Sequence, residues 1–279
     1  MTAAADSRSV TVRAFDRMAA DYDRLAAGDL FARLRARTHR AYVRRIAPGA
    51  RVLEIGCGTG IDTAFLASRG ACVVACDPSE EMVSRTLRRL AREHLDGRAI
   101  VMPCGLDDLP AYLDALAGPG AFDAIVSNFG ALNCVEHLAP LGALVRRHLR
   151  PGGIVLVSVM TRLCLFELCY FIATGRPARA LRRMGSSAVF VPVAGIEVPT
   201  FYHTVGDLRR CVGRDVQLVA VEGIGVALPP PYFEPRWARL PAFSRRAAAL
   251  LDRALARWAP FNRLGDHVLL HFVKEPADG

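Results

Sequence analysis

A chain of 279 residues that is 52% hydrophobic has ample material for a large core, and its length suits one α/β domain with added segments. The eight cysteines form no Cys-x-x-Cys pair, which argues against a disulfide framework or a zinc site, and the longest apolar stretch, about 163–174, contains Glu167 and stops short of membrane-spanning length. The net charge of +9 comes almost wholly from arginine, with Lys274 the sole lysine, and fits a solvated surface before it fits an acidic partner.

Taken in order, residues 1–9 are small and polar and predict a frayed tail. Phe15, Met18 and Tyr22 recur at helical spacing, so a helix is expected there. A basic helix over 30–46 is closed by Pro48-Gly49. Next stands Arg51-Val-Leu-Glu-Ile-Gly-Cys-Gly-Thr-Gly-Ile, a short apolar strand, a glycine turn and a helix start. Glycine tolerates positive φ and lets a ligand approach the backbone. A dinucleotide fingerprint would want a small residue where Ile61 stands. A second apolar run ends in Asp77, an acid placed to accept two ribose hydroxyls; Asp77-Pro78 with Glu80 also fits a helix N-cap. A helix over 79–93, a strand over 99–102 and a fourth strand from Phe122 follow. In an open parallel sheet ligands gather beyond the strand C-termini, so Ser127, Asn128, Phe129 and Asn133 are expected to line a reaction chamber; Asn133 fits a turn or helix cap equally well. Pro151-Gly152-Gly153 introduces a fifth strand, and the apolar runs 216–221 and 267–273 fit a sixth and a seventh.

The string Glu54-x-Gly56-x-Gly58-x-Gly60, with Asp77 beyond it, closely resembles motif I and the second-strand acid of class I S-adenosylmethionine (SAM)-dependent methyltransferases. Phe15-Asp-x-x-Ala-x-x-Tyr22-Asp23 resembles the lead-in of their ubiquinone/menaquinone-biosynthesis type. The resemblance covers 12–154 well and the remainder only by strand order. It implies an α/β fold: a Rossmann-like, seven-stranded, mostly parallel sheet with helices on both faces, plus a helical lid insertion. It also implies SAM as cofactor, held by Tyr22, Glu54, Gly56, Cys57, Gly58, Gly60, Asp77, Pro78, Leu106, Asp107 and Asn128. Gly105-Leu106-Asp107-Asp108-Leu109-Pro110 resembles the family's adenine turn with one departure: the family's acid falls on Gly105, which leaves Leu106 to pack on the purine and Asp107 to substitute or face water.

The expected organisation is a single domain over 1–279, with N-terminal cap helices over 10–47, a SAM-binding core over 48–160, a lid insertion over 161–200 and a C-terminal part over 201–279. The insertion offers Phe166 and Tyr170 to a greasy acceptor, and Phe129, Asn133 and Tyr202 are expected beside it. Its arginines (Arg176, Arg179, Arg182, Arg183) read as a solvated face or as a contact for phosphate or anionic lipid. A helix over 241–258 repeats Phe243, Ala247, Leu250, Leu251, Ala254 and Trp258 on one face, which suits docking across the substrate mouth or a dimer contact ahead of an interfacial membrane helix.

A methyl on a sulfonium is already activated, so a base is required only when the acceptor must lose a proton. His137 and His203 are the candidates, with Tyr202 and Glu167 behind them; Thr204-x-x-Asp207 is a capping box that would make His203 a surface residue instead. No metal is expected. The leading function is O- or C-methylation of a small hydrophobic or lipid-like molecule. An RNA or protein methyltransferase is opposed by the absence of an Asn-Pro-Pro-Tyr loop, and no nucleic-acid partner is expected. A SAM-binding relative with other chemistry, such as cyclopropanation, is the third reading. The N-terminus lacks a signal-peptide pattern, so the chain is read as cytoplasmic, with peripheral contact at the inner membrane face and either a monomer or a homodimer compatible with it.

Overall fold

A computed structural model describes residues 3–185 and 188–276. Two helices open the chain, α1 (Ala3–Ala26) and α2 (Asp29–Arg45). Helix already runs from Ala3, so the tail expected over 1–9 is ordered from that residue; residues 1 and 2 lie outside the described residues. An alternating core follows: β1 (Arg51–Ile55), α3 (Ile61–Ser68), β2 (Cys72–Cys76), α4 (Glu80–Arg92), β3 (Ala99–Met102), α5 (Leu109–Leu116), β4 (Phe122–Ser127), α6 (Ala139–His148) and β5 (Leu149–Met160). Such a strand–helix alternation yields a parallel sheet with both faces covered, and the strands are accordingly mostly apolar, with Arg51, Glu54 and Asp123 among the exceptions. Leu53 and Ile125 pack on one face, while Val52, Ala124 and Val126 pack on the other.

The segment after β5 is not an all-helical lid. It holds α7 (Leu165–Ala173), α8 (Pro177–Ala180) and a hairpin of β6 (Val189–Val193) and β7 (Ile196–Thr200), with residues 186 and 187 outside the description. The hairpin packs on α1. The α7 aromatics gather on Phe233: the rings of Phe166 and Tyr170 meet it edge to face and that of Phe171 is tilted against it, with centroids 4.9–6.4 Å apart. Beneath them Arg183 donates to Glu167 at 2.6 Å and to Asp266 at 2.8 Å, and Tyr232 donates to Glu167 at 2.6 Å. All three ionic side chains are buried, so removing one partner would strand a charge in the interior.

Helix α9 (Val205–Val212), β8 (Val216–Ile224), α10 (Glu234–Trp237), α11 (Ala242–Leu255) and β9 (His267–Lys274) complete the chain. The sheet order is β3-β2-β1-β4-β5-β9-β8, with β9 antiparallel to both neighbours and the inner pairs parallel. The order reverses between β1 and β4, which opens a crevice beyond their carboxyl ends.

Candidate active site

Four loops leave the sheet into that crevice, and α1 lies across it. After β1 the chain turns at Gly56 and Gly58, with φ of +76° and +55°. A Cβ on Gly56 would stand 2.2 Å from that of Ala131, so only glycine fits; around Gly58 nothing lies within 4 Å of that position, and the backbone faces open space. Gly60 caps α3 from a left-handed conformation.

Asp77 follows β2. Its Oδ2 accepts the Gly58 amide at 2.9 Å and its Oδ1 accepts the Ser79 amide at 3.0 Å. The N-cap of α4 is therefore Ser79, whose hydroxyl accepts from the Met82 amide; Asp77 does not cap the helix. Burial pushes the Asp77 carboxyl up to about 6 against those two amides, with Asp16 adding to the rise. Each carboxylate oxygen keeps a lone pair for a further donor.

Arg8, Thr11, Val12, Phe15 and Tyr22 of α1 line the cavity. The helix is fastened from beneath: the Ser79 hydroxyl donates to Asp16 at 2.5 Å, the Thr59 hydroxyl to Asp23 at 2.6 Å, and Arg89 pairs with Asp23 at 2.9 Å. Arg8 pairs with Asp108 and passes close to Gly105, where a Cβ would meet its guanidinium at 2.7 Å. The position that lacks the family's acid is thus covered by an arginine from another element. Leu106 and Asp107 line the same end, Leu106 buried and Asp107 exposed.

The loop after β4 supplies Asn128 and Phe129. Asn128 lines the cavity, but its amide is already engaged: it donates to Asp62 at 2.7 Å and accepts from Thr38 and from the Phe129 amide. Its work is to hold Phe129, a bulky residue at φ +48° that costs roughly 1–3 kcal/mol of backbone strain. Phe129 stacks on Phe31 at 4.7 Å, and the Arg35 guanidinium lies over both rings. Asp62 accepts Arg35 at 2.9 Å and contacts His39 at 2.6 Å. Burial opposes the Asp62 charge; Arg35, His39 and Asn128 more than offset it and hold its carboxyl well below the usual range. Burial and the nearby Asp62 charge push Glu54 up. The sequence reading missed this Arg35–Asp62 brace. Asp62 sits next to the glycine string, which was a usable signal, but Arg35 is hidden in a run of arginines.

The structure thus gathers Tyr22, Gly56, Gly58, Asp77, Pro78, Leu106, Asp107, Asn128, Phe129 and His137 around one cavity, with Phe15, Cys134, Val135 and Phe201 as further walls. Other expected residues stand elsewhere. Glu54 is buried within β1 and accepts the Thr63 hydroxyl at 2.7 Å. Cys57 and Gly60 lie behind the loop against Thr86. Asn133 is a bracket: its side chain binds both the amide and the carbonyl of Met160 and the carbonyl of Phe201. Phe166 and Tyr170 belong to the α7 cluster. Tyr202 is buried under Arg183. His203 is bonded to the Val135 carbonyl at 2.8 Å beside a complete Thr204–Asp207 capping box and is not a cavity wall, whereas His137 is exposed at the cavity edge. Among the described residues no group of three or more His, Cys, Asp or Glu converges as a metal site would require.

A seven-stranded sheet of this order, with a glycine turn and an acid at the point of reversal, is the class I methyltransferase fold. Residues 52–153 match the family described as "Methyltransferase domain". Among curated proteins it is 40% identical over 119 residues to a demethylmenaquinone methyltransferase of Clavibacter sepedonicus, covering 42% of this chain and 44% of the relative. It is 33% identical over 128 residues to a ubiquinone biosynthesis O-methyltransferase of Azorhizobium caulinodans, covering 44% and 46%. The chain therefore spans under half the length of these relatives. Among solved structures, the 1,6-didemethyltoxoflavin-N1-methyltransferase of Burkholderia thailandensis superposes with a TM-score of 0.59 at 17% identity over 99% of this chain and 92% of its own, which speaks to the fold.

Proposed function

We propose that the chain is a SAM-dependent methyltransferase acting on a small hydrophobic or lipid-like acceptor by O- or C-methylation. One observation carries the reading: Asp77 and Gly58 form a single wall, with a buried carboxylate beside a backbone position where nothing lies within 4 Å of the place a Cβ would take. That pairing suits a ribose diol and the atoms attached to it. SAM supplies an activated methyl group on a sulfonium. In this reading Asp77 accepts the two ribose hydroxyls, Leu106 packs on the purine, and Tyr22 and Phe129 exclude water where the methyl group departs. Val12, Phe15, Val135 and Phe201 then form an apolar seat for the acceptor. Placement in a dry cavity supplies most of the rate, since an in-line nucleophile gains a large effective concentration. Of the two candidate histidines only His137 lines the cavity, and it is the one to receive a proton from a hydroxyl acceptor.

The relatives' names, with demethylmenaquinone and ubiquinone in them, support a greasy acceptor of quinone type. No helix among the described residues is long and apolar enough to cross a membrane, and the reading places the chain in the cytoplasm with peripheral access to lipid. Calorimetry with S-adenosylhomocysteine and with NADH tests the donor side, and methyl-labelled SAM with fractionated host extract tests the acceptor. The expected result is binding of the sulfur nucleoside and label in an organic-soluble product. NADH binding without nucleoside binding, or label confined to RNA or protein, would overturn the proposal.

A further inference from the structure

An amphipathic helix on a globular protein normally turns its apolar stripe to the core. Helix α11 turns only small apolar residues to the core, Ala248 and Ala249, and keeps its large ones outside. Its inward face carries Asp252, 2% exposed, which accepts Arg37 at 2.6 Å and the Val226 and Ala227 amides at 2.6 and 3.2 Å. Phe243, Leu250 and Leu251 stand outward at 74, 65 and 53% exposure, and Trp258, just past the helix, at 70%. At about 3.6 residues per turn these four fall on one side of the axis, opposite Asp252. The face expected to dock across the substrate mouth is therefore exposed on the single chain.

Its surroundings are uniformly basic. From 235 to 263 the only acid is Asp252, which is sealed inside, while Arg239, Arg246, Arg253 and Arg263 are exposed without an acidic partner among the described residues. Neighbouring elements do not reverse that sign. On α2, burial and the guanidinium groups of Arg37, Arg253 and Arg44 hold Arg40 below its ordinary value, so α2 and α11 share one positive cluster. The adjacent carboxylates are engaged, Asp29 with Arg33 and Arg245, and Glu222 with Arg257.

We propose that α11 and its flanking turns are the docking surface for an anionic lipid bilayer, with Phe243, Leu250, Leu251 and Trp258 entering the interface and the arginines meeting headgroup phosphates. Exposed aromatic and leucine side chains beside arginine, on a helix with no outward carboxylate, match what such an interface selects. A second copy of the chain is the competing occupant, and charge argues against it: two such faces brought together set arginine against arginine. The inference extends the proposed function by giving a greasy acceptor a route to the enzyme, but the surface is independent of the chemistry.

The full chain is sedimented with vesicles of phosphatidylcholine alone and of phosphatidylcholine containing about 30% phosphatidylglycerol, a surface of the charge expected to attract arginine. Co-sedimentation with the anionic vesicles is expected, with a blue shift of Trp258 emission, since Trp237 is already buried. Partitioning should fall about tenfold or more on the neutral vesicles and in high salt. Arg246→Gln and Arg253→Gln should each lower it about fivefold, and Phe243→Ser/Leu250→Ser/Trp258→Ser should leave the protein in the supernatant with its melting temperature retained. Calorimetry with S-adenosylhomocysteine should give the same affinity for the wild-type chain and these variants; absence of binding in all of them would strike the methyltransferase reading and leave this one standing. The docking proposal is overturned if the wild-type chain ignores anionic vesicles, if the serine variant binds them equally, or if ultracentrifugation finds a dimer that the serine substitutions dissolve while vesicles capture nothing.

Discussion

Asp77 is held by two backbone amides yet remains a weak carboxylate, because two hydrogen bonds do not fully compensate a charge removed from water. Its native value of about 6 lies above the ordinary aspartate range, so the folded chain binds its proton more tightly than the unfolded one does. The stability this group contributes is complete below about pH 4 and is lost as pH rises through 6, a change of about 3 kcal/mol. Ligand binding has the opposite slope, since only the carboxylate accepts both hydroxyls. Affinity for S-adenosylhomocysteine should rise about tenfold between pH 5 and 7, as calorimetry at each pH would record. Asp77→Asn should weaken binding at neutral pH by about 30- to 150-fold and flatten the profile. An unchanged slope in that variant would assign the titration to another group. Asp77 was legible in the sequence because an acid at a strand end is a local pattern. The true placement of Asn133, Tyr202 and His203 was not, since their partners at Met160, Arg183 and Val135 lie far along the chain.

Among the elements, the glycine turn separates two functions that one string of letters presents together. Gly56 is required by packing and Gly58 by access. Gly56→Ala drives a methyl into Ala131 at positive φ and should destabilise the fold by about 2–4 kcal/mol, visible as a melting temperature lower by roughly 5–15 °C. Gly58→Ala meets no atom, costs about 1–2 kcal/mol for its backbone conformation, and puts its methyl where the ligand should lie, so nucleoside binding should be lost with little change in melting. If the two variants melt alike and bind alike, the division is wrong. The parallel strands were readable because each is a short, mostly apolar run bounded by turn residues. The β6–β7 hairpin was not. Pro192 and Pro199 interrupt its pattern, and its tight turn uses Ala194-Gly195 at φ +48° and +78° where Asn-Gly would have advertised it. Helix α11 was found by periodicity, but periodicity reports that a face is apolar and is silent about which way it points.

For the molecule as a whole, the sheet and the wall of Gly56, Gly58 and Asp77 follow from local patterns, whereas the rest of the cavity is assembled from distant parts: α1, the loop after β4 and the chain just after the hairpin. Asn133 has a consequence for that division. One side-chain amide grips Met160, where the sheet is left, and Phe201, where the chain returns. The intervening residues, 161–200, are thus a detour whose entrance and exit share a clasp, with further anchors at Asp266, Phe233 and α1. Transplanting the corresponding stretch from another methyltransferase, with Asn133 and Asp266 retained and an arginine kept at position 183, should leave donor affinity within about threefold, since none of residues 161–200 lines the cavity. A chimera that folds but no longer takes up the donor would show that the clasp transmits more than position.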